Sequence, residues 1–372
     1  MKLAVGITCY HTFGGSGIVA TEIGLELARR GHRVHFICAE PPARLDPATP
    51  NLSFHKVELR DYPLLLEGQY PLALASQMID VAQKERLDLW HVHYALPHAT
   101  SAYLARQILG TRAPRVVTTL HGTDITLVGN DPSYLPITRF TIEQSDGVTA
   151  PSVALAQATR DNFGITREIE VIPNFVDTDR FAPGRTPASE ALIVHSSNFR
   201  PLKRVDDVLA VFERVRRGRR CRLALLGDGP ERPRIEAEVR ARGLVDDVEF
   251  LGERLDVAAT LRRAHVFLLP SETESFGLAA LEALACGVPV VATHAGGLPE
   301  VIREGEDGFL LPVGDVEAMA VAVGRIVDDA LLHRRLSQAA RADAVERFAR
   351  GPMITRYERY YEKILSSSSS RP

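Results

Sequence analysis

Glu274 and Glu282 stand eight apart in Ser-Glu-Thr-Glu-Ser-Phe-Gly-Leu-Ala-Ala-Leu-Glu-Ala-Leu-Ala-Cys-Gly-Val-Pro, residues 271 to 289. In a chain with 47 acidic residues a bare pair reads as two solvated helix charges. Its context changes that reading. An apolar strand, Val266 to Leu269, runs into a polar loop, and a helix is expected to start near Ser275 and stop at Gly287, with Pro289 just beyond. Free backbone N–H groups of Phe276, Gly277 and Leu278 open such a helix, and Gly277 has no side chain to block an approaching anion. Carboxylates aimed at a bound anion would repel it, so this pair, about 12 Å apart along a helix axis, reads as acceptors for neutral hydroxyls on either side. A nucleotide sugar has that layout, with ribose on one side of its diphosphate and hexose on the other.

Cations suited to a diphosphate lie in Asn198-Phe199-Arg200-Pro201-Leu202-Lys203-Arg204. Lys203 and Arg204 fall just before a helical pattern, the end of a helix dipole that repels cations, so an anion shares the site or both are solvated. A second glycine-bearing loop, His11-Thr12-Phe13-Gly14-Gly15-Ser16-Gly17, follows the first strand and allows close approach of backbone to ligand. Gly15-x-Gly17-x-x-Ala20, with Glu40 ending the next strand, also imitates a nicotinamide-dinucleotide fingerprint. That turn is tight, whereas about five residues separate this strand from the first useful glycine, so a dehydrogenase ranks second. Tyr94 and His121 follow two further strands, whose carboxyl ends face the crevice where open α/β sheets bind ligands. His91 and His93 point alike from a strand end, and with His98 they lack a full ligand set, so ordinary strand-end histidines are favoured over a metal site.

Strands and helices alternate around these residues. Leu3 to Thr8, Val34 to Cys38 and Arg115 to Thr119 read as buried strands, and Gly17 to Arg30 as a helix. The alternation pauses near Pro173 to Asp177, and the polar stretch Pro183 to Ser189 reads as a linker. A second series follows: strands Ala191 to Ser196, Arg222 to Leu226 and Val248 to Leu251, with helices Val205 to Arg216, Pro230 to Arg242 and Asp256 to Ala264. Such alternation implies parallel crossovers and a second doubly wound domain, with a catalytic cleft expected where the two domains face each other. A Tyr-rich helical segment, Met353 to Ile364, is expected to cross back onto the first domain, and Ser366 to Ser370 is low-complexity.

The 372 residues suffice for two cores, and 45% hydrophobic with 24% charged residues are ordinary soluble values. A net charge of -3 provides no global footprint for nucleic acid. Cys9, Cys38, Cys221 and Cys286 show no C-x-x-C spacing and read as buried thiols. The N-terminal apolar run is too short for a signal peptide and no segment reaches 18 apolar residues, so the expected location is cytoplasmic, without stable membrane insertion.

The pattern Glu274-x7-Glu282 within E-S-F-G-L-x-x-L-E-A resembles the signature of retaining, two-domain GT-B glycosyltransferases of family 4. The resemblance implies an α/β GT-B fold of two doubly wound Rossmann-like domains facing a central cleft. Residues 1–175 would form the acceptor-binding domain, 176–350 the nucleotide-sugar domain, 351–365 the helix crossing back, and 366–372 a disordered tail. In that family the first Glu lies near the donor sugar, the second holds the ribose, a Lys and an Arg five apart hold the donor phosphates, and a G-G-x-G loop closes over the diphosphate. Gly14 to Gly17 match the loop and Lys203 matches the Lys. Asn198 stands where the family has Arg, so Arg200 replaces the charge or the pocket serves another ligand.

The segments H-Y-A-L-P-H-A-T, T-L-H-G-T-D-I-T, S-N-F-R-x-x-K-R-V-x-D-V and L-L-G-D-G-P-E resemble one branch of the family. That branch moves N-acetylglucosamine from UDP-N-acetylglucosamine to the hydroxyl of L-malate, releasing UDP, at the start of bacillithiol biosynthesis. The resemblance implies His121, Glu274 and Lys203 as catalytic residues and Tyr94, Thr119, His121, Asn198 and Lys203 at the acceptor. At the donor it implies Gly15, Ser16, Asn198, Arg200, Lys203, Leu251 and Gly252, together with Glu274, Ser275, Phe276, Gly277, Leu278 and Glu282. The one D-x-D, Asp177-Thr-Asp179, falls in the linker, so neither a metal nor another cofactor is expected. The expected partners are the two small substrates, with no nucleic acid; a homo-oligomer is compatible with the sequence. A family 4 enzyme with a sugar or lipid acceptor, and a non-catalytic sugar-nucleotide binder, remain as alternatives.

Overall fold

The computed structural model describes residues 1–11, 15–59, 69–129, 131–184, 190–254 and 256–367. The chain divides into two compact units, Met1–Pro173 with Gly351–Pro372, and Asn174–Arg350. No described helix is long and apolar enough to cross a membrane.

The first unit is built on a parallel sheet of Ala4–Thr8 (β1), Arg33–Cys38 (β2), Leu52–Lys56 (β3), Leu89–His93 (β4), Arg115–Thr119 (β5), Gly147–Ala150 (β6) and Glu170–Val171 (β7). Its order is β3-β2-β1-β4-β5-β6-β7. Every residue of β1, β4 and β6 is buried, as a sheet covered on both faces requires. The order reverses between β1 and β4, the switch point at which the strand ends diverge and leave a crevice. The helix Gly15–Arg29 starts beside that point, and Tyr94 leaves β4 there. Gly15, Ser16 and Gly17 therefore form the first helical turn instead of a loop. Gly14, expected in the same loop, lies outside the described residues.

The helix Arg350–Ser366 completes this unit. Its buried residues Met353, Ile354, Tyr357, Tyr360, Tyr361 and Ile364 recur at three- and four-residue spacing, the stripe of a helix with one face covered. Tyr361 Oη meets His91 Nδ1 at 2.8 Å on β4, and Tyr360 Oη accepts from the Val148 N–H at 2.9 Å on β6. Arg30 Nη1 donates to Glu358 Oε2 at 2.6 Å. The helix is longer at both ends than the segment read from the sequence and takes in Ser366; residues 368–372 of the expected tail lie outside the described residues.

The second unit repeats the plan with Ala191–Ser196 (β8), Cys221–Leu226 (β9), Val248–Gly252 (β10), Val266–Leu269 (β11), Val290–Thr293 (β12) and Gly308–Leu311 (β13). Its order is β10-β9-β8-β11-β12-β13, with the switch point between β8 and β11. The loops leaving those two strands carry Asn198 to Lys203 and Ser271 to Gly277. The linker residues 185–189 lie outside the described residues. The helix after β11 spans Leu278–Ala285, three residues later than expected, because Gly277 at its N-cap has φ of 97° and cannot continue a helical turn begun at Ser275. Its end follows the sequence reading, with Gly287 at φ 72°.

Candidate active site

In the second unit, β8 and β11 bring Lys203 and Glu274 together across 71 residues of chain: Nζ lies 2.6 Å from Oε1. The two side chains keep only 16% and 12% of their exposure, so the pair is mostly shielded from water. Ser271 Oγ donates to the same carboxylate oxygen at 2.8 Å. Among the described residues Oε2 has no partner, which leaves one acceptor position open. The Glu274 carbonyl accepts from the Gly297 N–H at 2.9 Å, and a Cβ on Gly296, at φ 55°, would lie 2.0 Å from that carbonyl oxygen. The loop after β12 thus grips Glu274 from behind, and only glycine permits the approach.

The helix that follows presents its unpaired donors differently from the sequence expectation. Gly277 caps it, so Leu278, Ala279 and Ala280 form the first turn, and Phe276 lies before it, buried against Phe348 with ring centroids 5.7 Å apart. Among the described residues none of the N–H groups from Phe276 to Ala280 finds a protein acceptor, the arrangement that receives an anion at a helix start. Ser275 is half-buried beside Glu274. Glu282 lies on this helix and is buried, with 8% exposure.

Asn198 and Arg200 are exposed on the loop leaving β8. That loop runs tight against Gly227 and Gly229: Cβ atoms there would lie 1.9 Å and 2.0 Å from the carbonyl oxygens of Ser197 and Asn198. Gly227 in turn donates its N–H to the Gly252 carbonyl at 2.9 Å, which ties Leu251 and Gly252 at the end of β10 to the same edge. Arg204 is committed elsewhere, with Nε 2.7 Å from Asp207 Oδ2.

In the first unit, Tyr94 Oη donates to Ser16 Oγ at 2.8 Å, and its ring lies 5.0 Å from that of His121. Burial raises this phenol to about 12, so it stays neutral and donates. Asp124 organises the neighbourhood: its carboxylate accepts from the backbone N–H groups of Ala95 at 3.0 Å, His121 at 3.1 Å and Gly122 at 3.0 Å. His121 Nε2 meets His93 Nδ1 at 2.8 Å, and burial lowers His121 to about 3. Thr119 departs from the expected acceptor role. It is buried, its hydroxyl lies 2.6 Å from both His91 Nε2 and Thr149 Oγ1, and the Tyr357 hydroxyl bonds to it as well, so three protein partners take its one donor and two acceptor positions.

His91 and His98, the other members of the strand-end set, have protein partners of their own. His91 bridges Tyr361 and Thr119, and His98 Nδ1 donates to the His93 carbonyl. Asp177 of the D-x-D pairs with Arg350 at 2.9 Å and accepts from the N–H groups of Asp179 and Arg180. Glu40, the ribose ligand of the dinucleotide reading, is an exposed partner of Lys56 at 2.8 Å.

Sequence reasoning misses Ser271, Gly296, Gly297 and Asp124. The Gly-Gly pair after β12 and the Asp three residues beyond His121, a spacing that suits a side chain accepting nearby backbone N–H groups, are the signals that point to three of them. Ser271 carries none.

Two family models match in succession, Glycosyltransferase Family 4 over residues 13–180 and Glycosyl transferases group 1 over 177–343. The chain is 44% identical over 374 residues to the N-acetyl-alpha-D-glucosaminyl L-malate synthase of Bacillus anthracis, covering 98% of each chain. It is 30% identical to a D-inositol 3-phosphate glycosyltransferase of Saccharomonospora viridis, over 90% of this chain and 86% of that one. Among solved structures, a sucrose-phosphate synthase from Thermosynechococcus elongatus superposes with a TM-score of 0.83 at 23% identity, covering 99% and 100% of the two chains. Anabaena HepE in complex with UDP-glucose superposes equally, at 0.83 with 19% identity and 97% and 100% coverage. These two share the two-domain α/β fold. The dehydrogenase alternative is thereby set aside: by its sequence from end to end, the chain belongs to the family 4 glycosyltransferases.

Proposed function

We propose that this glycosyltransferase moves N-acetylglucosamine from UDP-N-acetylglucosamine to the hydroxyl of L-malate, with retention, releasing UDP in the first step of bacillithiol biosynthesis. The observation that carries donor and acceptor is the 44% identity, across 98% of both chains, to the malate synthase of Bacillus anthracis. In this reading the diphosphate lies at the unpaired N–H groups around Gly277 and Leu278, with Lys203 neutralising charge on the leaving group. Arg200 supplements the charge where Asn198 replaces the family Arg. Gly15 and Ser16 are assigned to the diphosphate by the same family resemblance, as are Leu251 and Gly252 to the donor.

In the same reading Glu274 accepts from a hexose hydroxyl through Oε2, and Glu282 from the ribose. Retention brings the acceptor to the face from which the phosphate departs, so the departing phosphate oxygen is the nearest base for the malate hydroxyl. Tyr94, His121 and Asn198 then orient the acceptor. Charge on the diphosphate is met by protein cations and backbone dipoles, so no metal ion is required, and the enzyme works as a cytoplasmic protein. Malate-dependent release of UDP, followed by ultraviolet absorbance without added nicotinamide, tests the reading. Release that ignores malate but responds to inositol phosphate or another sugar acceptor would replace it.

A further inference from the structure

Two ring nitrogens 2.8 Å apart, His93 Nδ1 and His121 Nε2, share one proton, and the surroundings decide which ring carries it. If His121 donates, His93 must carry its own proton on Nε2, which is buried and has no partner among the described residues. That would strand an N–H donor in the core. If His93 donates from Nδ1, the stranded Nε2 bears only a lone pair, and orphaned acceptors are tolerated better than orphaned donors. His98 donates to the His93 carbonyl, and Asp124 holds the His121 backbone N–H, so the two backbone segments that carry the rings are each anchored beside the contact.

We propose that His93 is a positioning residue that donates to His121 Nε2 and holds His121 as its Nδ1–H tautomer, so that His121 meets substrate as a hydrogen-bond donor and not as a base. Among the described residues His121 Nδ1 has no protein partner, and the ring is half-buried, which leaves that N–H for a ligand oxygen. The groups around the pair do not favour an imidazolium. His91 and His98 add positive charge if protonated, Tyr94, Tyr357 and Tyr361 are neutral phenols, and the Asp124 carboxylate is occupied by backbone N–H groups. Burial lowers both rings, His121 to about 3, in keeping with two neutral imidazoles.

The role toward substrate rests on the proposed function; the tautomer does not. In the full-length chain labelled with 15N-histidine, 12 histidines are resolved by two-bond proton–nitrogen correlation, with His121 assigned by its loss in His121→Asn. The expected signature is Nδ1–H with Nε2 unprotonated at neutral pH. His93→Phe removes the donor but keeps ring volume: His121 should shift toward Nε2–H or titrate closer to its ordinary range. Its kcat should fall by about 10- to 100-fold, by analogy with the loss of a partner that orients a metal-bound histidine, with KM for the nucleotide sugar unchanged. His93→Asn, whose amide N–H takes the place of Nδ1–H, should restore most of both. A wild-type His121 protonated on Nε2, or a His93→Phe enzyme with unaltered tautomer and kcat, overturns the proposal. If malate and UDP-N-acetylglucosamine support no turnover, the functional reading fails while the spectrum still decides this one, including when His93→Phe does not fold.

Discussion

Replacing Lys203 by Met should separate two effects that the ion pair with Glu274 joins. Removing one partner of a fully buried pair costs about 3–5 kcal/mol because the other charge is left uncompensated. Here the side chains retain 16% and 12% exposure and Ser271 still donates to the stranded oxygen, so we place the loss of stability at about 2 kcal/mol in urea unfolding at neutral pH. The same substitution deletes the charged hydrogen-bond donor proposed for the diphosphate, a contribution of about 1.5–3 kcal/mol, which should weaken UDP by about 10- to 150-fold in calorimetry. A double variant, Lys203→Met with Glu274→Gln, removes the stranded charge and should recover most of the stability while UDP binding stays weak. The reasoning is refuted if the double variant is no more stable than Lys203→Met, or if Lys203→Met binds UDP as the wild type does.

Glu282→Ala should weaken UDP binding by about 1–3 kcal/mol through loss of the ribose acceptor, and an unchanged calorimetric affinity would remove that assignment. Turnover should survive exhaustive EDTA; activity lost and then restored by magnesium or manganese would show that Lys203 and the helix start do not suffice. Malate should be glycosylated while lactate and glycerol react poorly, and Asn198→Arg should lower kcat/KM for malate more than affinity for UDP; equal rates with lactate would contradict the acceptor reading. Asp307 is fully buried, accepts the Arg303 N–H at 2.8 Å through Oδ1, and has no partner for Oδ2 among the described residues. Burial raises it to about 7, so the stability it lends at low pH is lost as pH rises through that value. Asp307→Asn should therefore match wild type near pH 4 and exceed it by up to about 4 kcal/mol at pH 8 in urea titrations.

The strands that carry the site are legible because each is a short apolar run ended by polar or turn residues. The observed β5, β8 and β11 coincide with the segments Arg115 to Thr119, Ala191 to Ser196 and Val266 to Leu269. Helix starts are less legible, since they depend on backbone geometry set by distant contacts. Gly277 takes its positive φ where a Cβ would lie 2.5 Å from Leu298 Cδ2, and nothing in the local pattern announces that neighbour. Composition and spacing single out Lys203 and Glu274 separately, but their contact depends on β8 and β11 being adjacent in the sheet. Thr119 shows the opposite failure. Its place at a strand end suggests access to ligand, whereas neighbouring strands and the C-terminal helix enclose it.

The C-terminal helix makes the second unit, in topological terms, an insertion in the first. A ribosome delivers β1 to β7, then all of Asn174–Arg350, and only then the helix that brings Tyr361 to His91 and Tyr360 to Val148. The usual vectorial order, in which the N-terminal domain is completed first, is inverted: the inserted unit has its whole sequence synthesised before the outer one receives its last element. Released chains truncated just after Arg350 should accordingly contain a protease-resistant second unit joined to a first unit that remains cleavable.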